Sequence, residues 1–138
     1  MLLFGGASGV GKTSVSYRLA RHFGVSLVEV DDFQVVLERM TTPEEQPELH
    51  FFRTRRDEWR RLDEDGRLAH ALRYGAVMAE AREPVIANHL EGITPIVLEG
   101  DFILPSLAVR ASYGDAAAGG RVRSVFLYEP DEAQIARN

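Results

Sequence analysis

No cysteine occurs among the 138 residues. Disulfides and thiolate metal centres are excluded, and the chain suits a reducing compartment. No apolar stretch approaches the roughly 18 residues that a membrane-spanning helix needs, and no basic segment precedes the first apolar run. A cytoplasmic protein without a membrane partner is the expectation. Lysine is nearly absent as well: of the 16 basic residues, Lys12 alone is a lysine. The rest are arginines, the better residue for planar, two-pronged recognition of phosphate or carboxylate. With a formal net charge of −5, a broad nucleic-acid surface is not expected, because phosphate backbones are bound by clustered positive charge. Internal repeats are lacking, and the one stretch of reduced complexity is the small, Ala- and Gly-rich segment 111–120. A composition that is 45% hydrophobic provides for one globular domain with a real core.

The stretch that is strongly marked is Gly6-Ala7-Ser8-Gly9-Val10-Gly11-Lys12-Thr13. It satisfies G-x-x-x-x-G-K-[ST], the phosphate-binding loop, at every defined position. The glycines let the backbone curl until successive N–H groups converge on an anion. Gly11 and Lys12 open a helix whose first N–H groups lack internal partners and whose dipole favours negative charge. Lys12 is placed to reach the β- and γ-phosphates, and the Thr13 hydroxyl to ligate Mg²⁺. Ser14 follows directly, so residues 6–14 form the candidate nucleotide-binding set. The surroundings fit: Met1-Leu2-Leu3-Phe4 reads as a buried strand and residues 13–23 as a helix. A Gly-rich turn before an ordinary helix would match the Lys-Thr register only by chance.

Strands and helices then alternate. Val15, Leu19, Ala20 and Phe23 recur at helical spacing and are expected to face the core, with Gly24 as the stop. Residues 26–30 read as strand 2, ending on Asp31-Asp32, and residues 33–40 as a helix. A loop spans 41–47. Residues 47–62 look helical and highly charged, with Arg53, Arg56 and Arg60 on one face. Asp63-Glu64-Asp65-Gly66 interrupts it, and residues 67–82 form a longer helix. Pro84 starts a new helical segment or kinks the old one, up to Gly92. Residues 96–99 are strand 3, segment 111–120 is a flexible surface excursion, residues 123–128 are strand 4, and a helix opens at Asp131. Strands joined by helical crossovers imply a parallel sheet with helices on both faces. In such sheets ligands sit beyond the carboxyl ends of the strands. Asp31, Asp32, Glu99, Asp101 and the phosphate loop should therefore gather at one edge.

Each polar candidate has a plainer reading. Asp31 follows an apolar strand, as a base accepting a substrate hydroxyl proton would; otherwise it caps the next helix. With two adjacent aspartates, Asp31 takes the functional role and Asp32 the cap. Glu99 closes Ile-Val-Leu, the place of an acid that orients the Mg²⁺ shell or an attacking water; otherwise it is an edge acid paired with an arginine. Asp101 is the second choice for that work. The arginines at 53–61 alternate with Asp57 and Glu58 and read as a solvated salt-bridge face, with an anionic-substrate clamp as the functional option. Trp59 and Phe52 read as packing residues. His22, His50, His70 and His89 lack metal-ligand spacing and read as structural or exposed.

The loop, the turn Val30-Asp31-Asp32-Phe33 and the strand end Val97-Leu98-Glu99-Gly100-Asp101 together resemble the small phosphate-loop kinases. That group includes shikimate, gluconate, nucleoside and chloramphenicol phosphotransferases. Residues 5–11 combined with Leu98-Glu99-Gly100-Asp101-Phe102-Ile103-Leu104-Pro105 look most similar to 2-phosphoglycerate-kinase-like proteins. The resemblance implies an α/β three-layer phosphate-loop NTPase fold with strand order 2-3-1-4-5, ATP and Mg²⁺ as cofactors, and Asp31 as the base. It also implies an arginine-bearing lid and a fifth strand after strand 4, with Arg137 at the first lid arginine. Residues 1–138 are accordingly expected to be one kinase-like domain cut before its lid and last strand.

The function expected is ATP-dependent transfer of the γ-phosphate to a hydroxyl of a small metabolite, an anionic one being an option, with Lys12, Asp31 and Glu99 as the catalytic set. The alternative is a nucleotide-hydrolysing ATPase or switch with water as acceptor. A guanine-reading Asn-Lys-x-Asp stretch is lacking, and a multimeric ATPase needs a longer second half. A binding module with a dead site is disfavoured by the intact Lys12 and Thr13.

Overall fold

The computed structural model describes residues 1–135 and 137, without the side chain of Glu132. Four strands, β1 (Leu2–Gly6), β2 (Ser26–Glu29), β3 (Ile96–Glu99) and β6 (Arg123–Leu127), pair in the order β2-β3-β1-β6. Every pairing is parallel, with Leu3 opposite Leu98 and Ser124, and Val28 opposite Leu98. This is the expected order, strand 4 being β6. Because side chains alternate across a strand, Leu3, Ile96 and Leu98 join one core while Phe4 and Val97 join another on the opposite face. Helix α1 (Lys12–Phe23) covers the second face through Ala20 and Leu19. Helix α5 (Glu64–Glu91) covers the first through Ala79, Ile86 and Leu90. The layers are helix, sheet and helix.

Several elements differ from the sequence reading. Helix α1 buries Lys12, Ser16 and Ala20, whereas Val15 and Phe23 are exposed. Small side chains at a four-residue spacing let the helix lie close on the sheet, and this outweighs the bulkier apolar stripe. Strand β2 ends at Glu29, and helix α2 (Val30–Met40) begins earlier than expected, with Glu29 as its cap residue. The Arg-rich segment divides at Arg55 into α3 (Pro47–Thr54) and α4 (Arg56–Arg61). Arg53 and the pair Arg56 and Arg60 therefore do not share one helical face. The bend turns Phe52 and Trp59 together around His70, with ring centroids 4.8 Å apart for Phe52–Trp59 and Phe52–His70. Packing of the aromatic residues overrides the local helical pattern, and Phe52 and Trp59 pack as read. His50 and His70 are buried.

Helix α5 runs unbroken through Pro84, and Asp63 caps it by accepting from the Gly66 N–H at 2.8 Å. Tyr74, Met78, Arg82, Ile86 and Leu90 are spaced by four and are all buried along it, so continuous tertiary contact holds the helix together across the proline. Interior proline costs about 3 kcal/mol relative to alanine, partly offset by about 0.4–1 kcal/mol of stiffening in the unfolded chain. Pro84 is exposed, so Pro84→Ala removes this cost without opening a cavity. A gain of about 2 kcal/mol is expected in a denaturant titration; a loss would show that the proline is needed where it stands.

Segment 111–120 is not a surface excursion. It forms the antiparallel pair β4 (Ser112–Tyr113) and β5 (Ala116–Ala117), preceded by the short helix α6 (Pro105–Ala108). Tyr113 is fully buried, its hydroxyl donating to the Leu107 carbonyl at 2.8 Å, and Ala116 and Ala118 are buried beside it. The Gly114 N–H donates to Glu83. The short helix α7 (Glu132–Ile135) follows β6.

Candidate functional site

Strand β1 delivers the chain to the loop at Gly6, which has φ +142° and approaches β6 so closely that a Cβ would lie 2.5 Å from the Leu127 carbonyl oxygen. No side chain fits there, which explains the first glycine of the motif. Gly11 then caps α1. Lys12 is buried to 6% exposure, and its ammonium donates to the Ala7 carbonyl at 2.7 Å and to Asp101 Oδ1 at 2.5 Å. Asp101 thus takes the principal contact to Lys12 in the sequence-predicted set. Thr13 Oγ1 reaches Glu99 Oε1 at 3.5 Å.

These residues line a cavity of about 170 Å³ at the carboxyl edge of the sheet, bounded by Ser8, Gly9, Gly11, Ser14, Glu29, Asp31 and Gly100 as well as Lys12, Thr13, Glu99 and Asp101. The gathering expected from the strand-end rule is present. Asp32 is the exception: it neither lines the cavity nor caps α2. Asp31 and Asp32 instead stand in the first turn of the helix, where its dipole favours carboxylates. Glu29, unremarked in the sequence, lines the cavity and accepts from the Tyr17 hydroxyl at 2.8 Å. Arg137 accompanies Asp131 at 3.7 Å and donates to Gln134 at 2.8 Å.

The electrostatics follow from crowding. Desolvation pushes the Asp31 carboxyl above its ordinary value, the charge of Asp101 adds to this, and Lys12 and Arg82 oppose it. Glu99, 3% exposed, is raised first by burial, while the Lys12 charge opposes. Protons are therefore held more tightly than usual at these two carboxylates. The cavity oxygens that could meet a divalent cation are Thr13 Oγ1 and the carboxylates of Glu99 and Asp101. Among the described residues no cluster of three or more His, Cys, Asp or Glu side chains could hold a metal.

The residue that sequence reasoning missed is Arg82, read only as a helix end. It is 1% exposed, and its guanidinium donates to the carbonyls of Phe102 at 2.5 Å and Asp101 at 3.1 Å. Its Nε finds no hydrogen-bond partner among the described residues, and burial lowers its pKa to about 10. The signal was available: an arginine interrupting the apolar series Tyr74, Met78, Ile86, Leu90 at the same four-residue spacing. The turn it holds is strained. Phe102 adopts φ +58°, a left-handed conformation that costs a residue with a Cβ about 1–2 kcal/mol.

No known family profile matches the chain. A 2-phosphoglycerate kinase of Methanococcus maripaludis is 28% identical over 117 residues, an alignment covering 78% of this chain and 37% of that protein. A sugar kinase from Janibacter sp. superposes with a TM-score of 0.53 at 17% identity, covering 99% of this chain and 64% of that one. This chain has the fold of a phosphate-loop kinase. A gluconokinase from Sinorhizobium meliloti overlaps less well, with a TM-score of 0.43 at 22% identity over 99% of this chain and 61% of that one. The chain thus spans little more than a third of the archaeal relative and under two thirds of the sugar kinase. Among the described residues no helix is long and apolar enough to cross a membrane.

Proposed function

We propose that this phosphate-loop kinase fold carries an ATP-dependent phosphotransferase that moves the γ-phosphate to a hydroxyl of a small metabolite. The observation that carries the reading is the convergence of Lys12, Thr13, Asp31, Glu99 and Asp101 on one cavity at the end of the sheet. Loop N–H groups and Lys12 hold the β- and γ-phosphates, stabilising charge where it develops. Asp31 accepts the proton of the acceptor hydroxyl as the new O–P bond forms and the bond to the bridging β–γ oxygen breaks; ADP leaves with that electron pair. Bound Mg²⁺ would neutralise phosphate charge beside Thr13 and Glu99. Residues 1–138 form one kinase-like unit in this reading.

The names of the relatives supply the first acceptors to try: 2-phosphoglycerate, sugars and gluconate, each with radiolabelled ATP and Mg²⁺. Labelled product with one of them supports transfer, and release of inorganic phosphate alone with all of them points to water as the acceptor. Thr13→Val tests the metal assignment. It keeps the shape and removes the hydroxyl, so nucleotide affinity in EDTA should stay unchanged. The strengthening that Mg²⁺ confers should fall about tenfold, the scale of one bond to a charged group. If Mg²⁺ strengthens binding equally in both proteins, Thr13 is not a ligand.

A further inference from the structure

The turn after β3 is held from both sides. At Gly100, with φ +153°, a Cβ would lie 2.0 Å from Val30 Cγ2, so α2 presses against the backbone and only glycine fits. Phe102 is left-handed as well, its ring 4.6 Å from that of Tyr74. Strained backbone persists only where the surroundings over-determine it. Here the second constraint is the Arg82 guanidinium, whose planar fork takes the carbonyls of residues 101 and 102 together. A lysine in that place offers a point charge and cannot span both in the same way. Between Gly100 and the strained Phe102 stands Asp101, with its carboxylate on the Lys12 ammonium. Contacts therefore run without a gap from Arg82 on α5, through the turn, to Asp101, Lys12 and the Ala7 carbonyl of the loop.

We propose that Arg82 is a positioning residue for the phosphate loop: by pinning the Asp101–Phe102 turn it holds the Asp101 carboxylate against the Lys12 ammonium until an anion takes that place. Burying a guanidinium with an unpaired Nε is costly, and the turn it fixes is what that cost supports. Asp101 keeps the lysine folded into the loop, and an arriving phosphate displaces a carboxylate of like charge. This rests on the phosphate-loop reading of the site, but its test needs no nucleotide.

Since Lys12 is the only lysine, amine chemistry reports on it directly. The nucleotide-free protein is treated with acetic anhydride, and the extent of modification at Lys12 is followed by peptide mass spectrometry. Lys12 in the parent protein should react slowly, and Asp101→Asn should speed it about tenfold, the scale of one charge-assisted hydrogen bond. Arg82→Met should give a similar acceleration, Arg82→Lys a smaller one, and the Arg82→Met/Asp101→Asn double variant no more than the faster single variant. Arg73→Met, which removes an exposed arginine of the same helix paired with Glu48, should leave Lys12 at its parent rate. Should Arg82→Met not fold, Arg82→Lys carries the comparison. Parent reactivity in a folded Arg82 variant, or accelerations that multiply in the double variant, would overturn the proposal. Such a result leaves the phosphotransferase reading standing, whereas failure of the parent protein to bind ATP would count against that reading alone.

Discussion

Lys12→Ala is expected to abolish measurable triphosphate binding. The ammonium sits in a nearly closed site, and truncating one member of a desolvated charge pair typically costs 2–5 kcal/mol or more. That corresponds to a loss of affinity of about 30-fold to several thousand-fold. No other lysine exists to take over, and Arg82 is committed to two backbone carbonyls. The same change leaves the Asp101 carboxylate facing the phosphates without its counter-charge, so repulsion adds to the lost attraction. Calorimetry with ATP, with and without Mg²⁺, reads the effect, and circular dichroism checks that the fold survives. Affinity close to that of the parent protein would show that the loop does not hold phosphate through this side chain.

Asp31→Asn should separate binding from chemistry. A positioned general base contributes typically 10²–10⁴-fold, so transfer to the acceptor should slow by about 10² or more while ATP affinity changes only a few-fold. The pH dependence carries a sign. The base works only when ionised, and desolvation together with Asp101 raises its pKa. Activity should therefore fall, as pH is lowered, above the ordinary carboxylate range. Asp101→Asn removes a negative neighbour and should move this acid limb to lower pH. Replacing Arg82, whose charge opposes the rise, should move it to higher pH. Asp31→Asn should abolish the limb. An acid limb that persists unmoved in Asp31→Asn would assign it to another group, with Glu99 the next to examine because burial raises it too.

These two side chains also mark the boundary between what the sequence determined and what the tertiary structure decided. The phosphate loop was legible because each of its positions answers a local demand: a curl too tight for a Cβ at Gly6, N–H groups opening a helix at Gly11 and Lys12, a hydroxyl one residue on. The parallel order β2-β3-β1-β6 was likewise implied by alternating strands and helices together with the family resemblance. It brought Asp31, Glu99 and Asp101 to one edge without any contact being known. What pairs with Lys12 could not be read, because Asp101 lies 89 residues away and its aim depends on a strained turn held by Arg82 from another helix. The cap of α2 fell to Glu29 and the Arg-rich helix broke at Arg55 for the same reason. Helix α5 passed through Pro84, and the Ala- and Gly-rich segment folded inward as a hairpin around Tyr113. In each case a local preference worth at most a few kcal/mol yielded to burial of side chains contributed from distant parts of the chain. Local chemistry specified the loop and the alternation of elements, whereas only long-range packing settled which carboxylate faces the lysine and which arginine stands behind it.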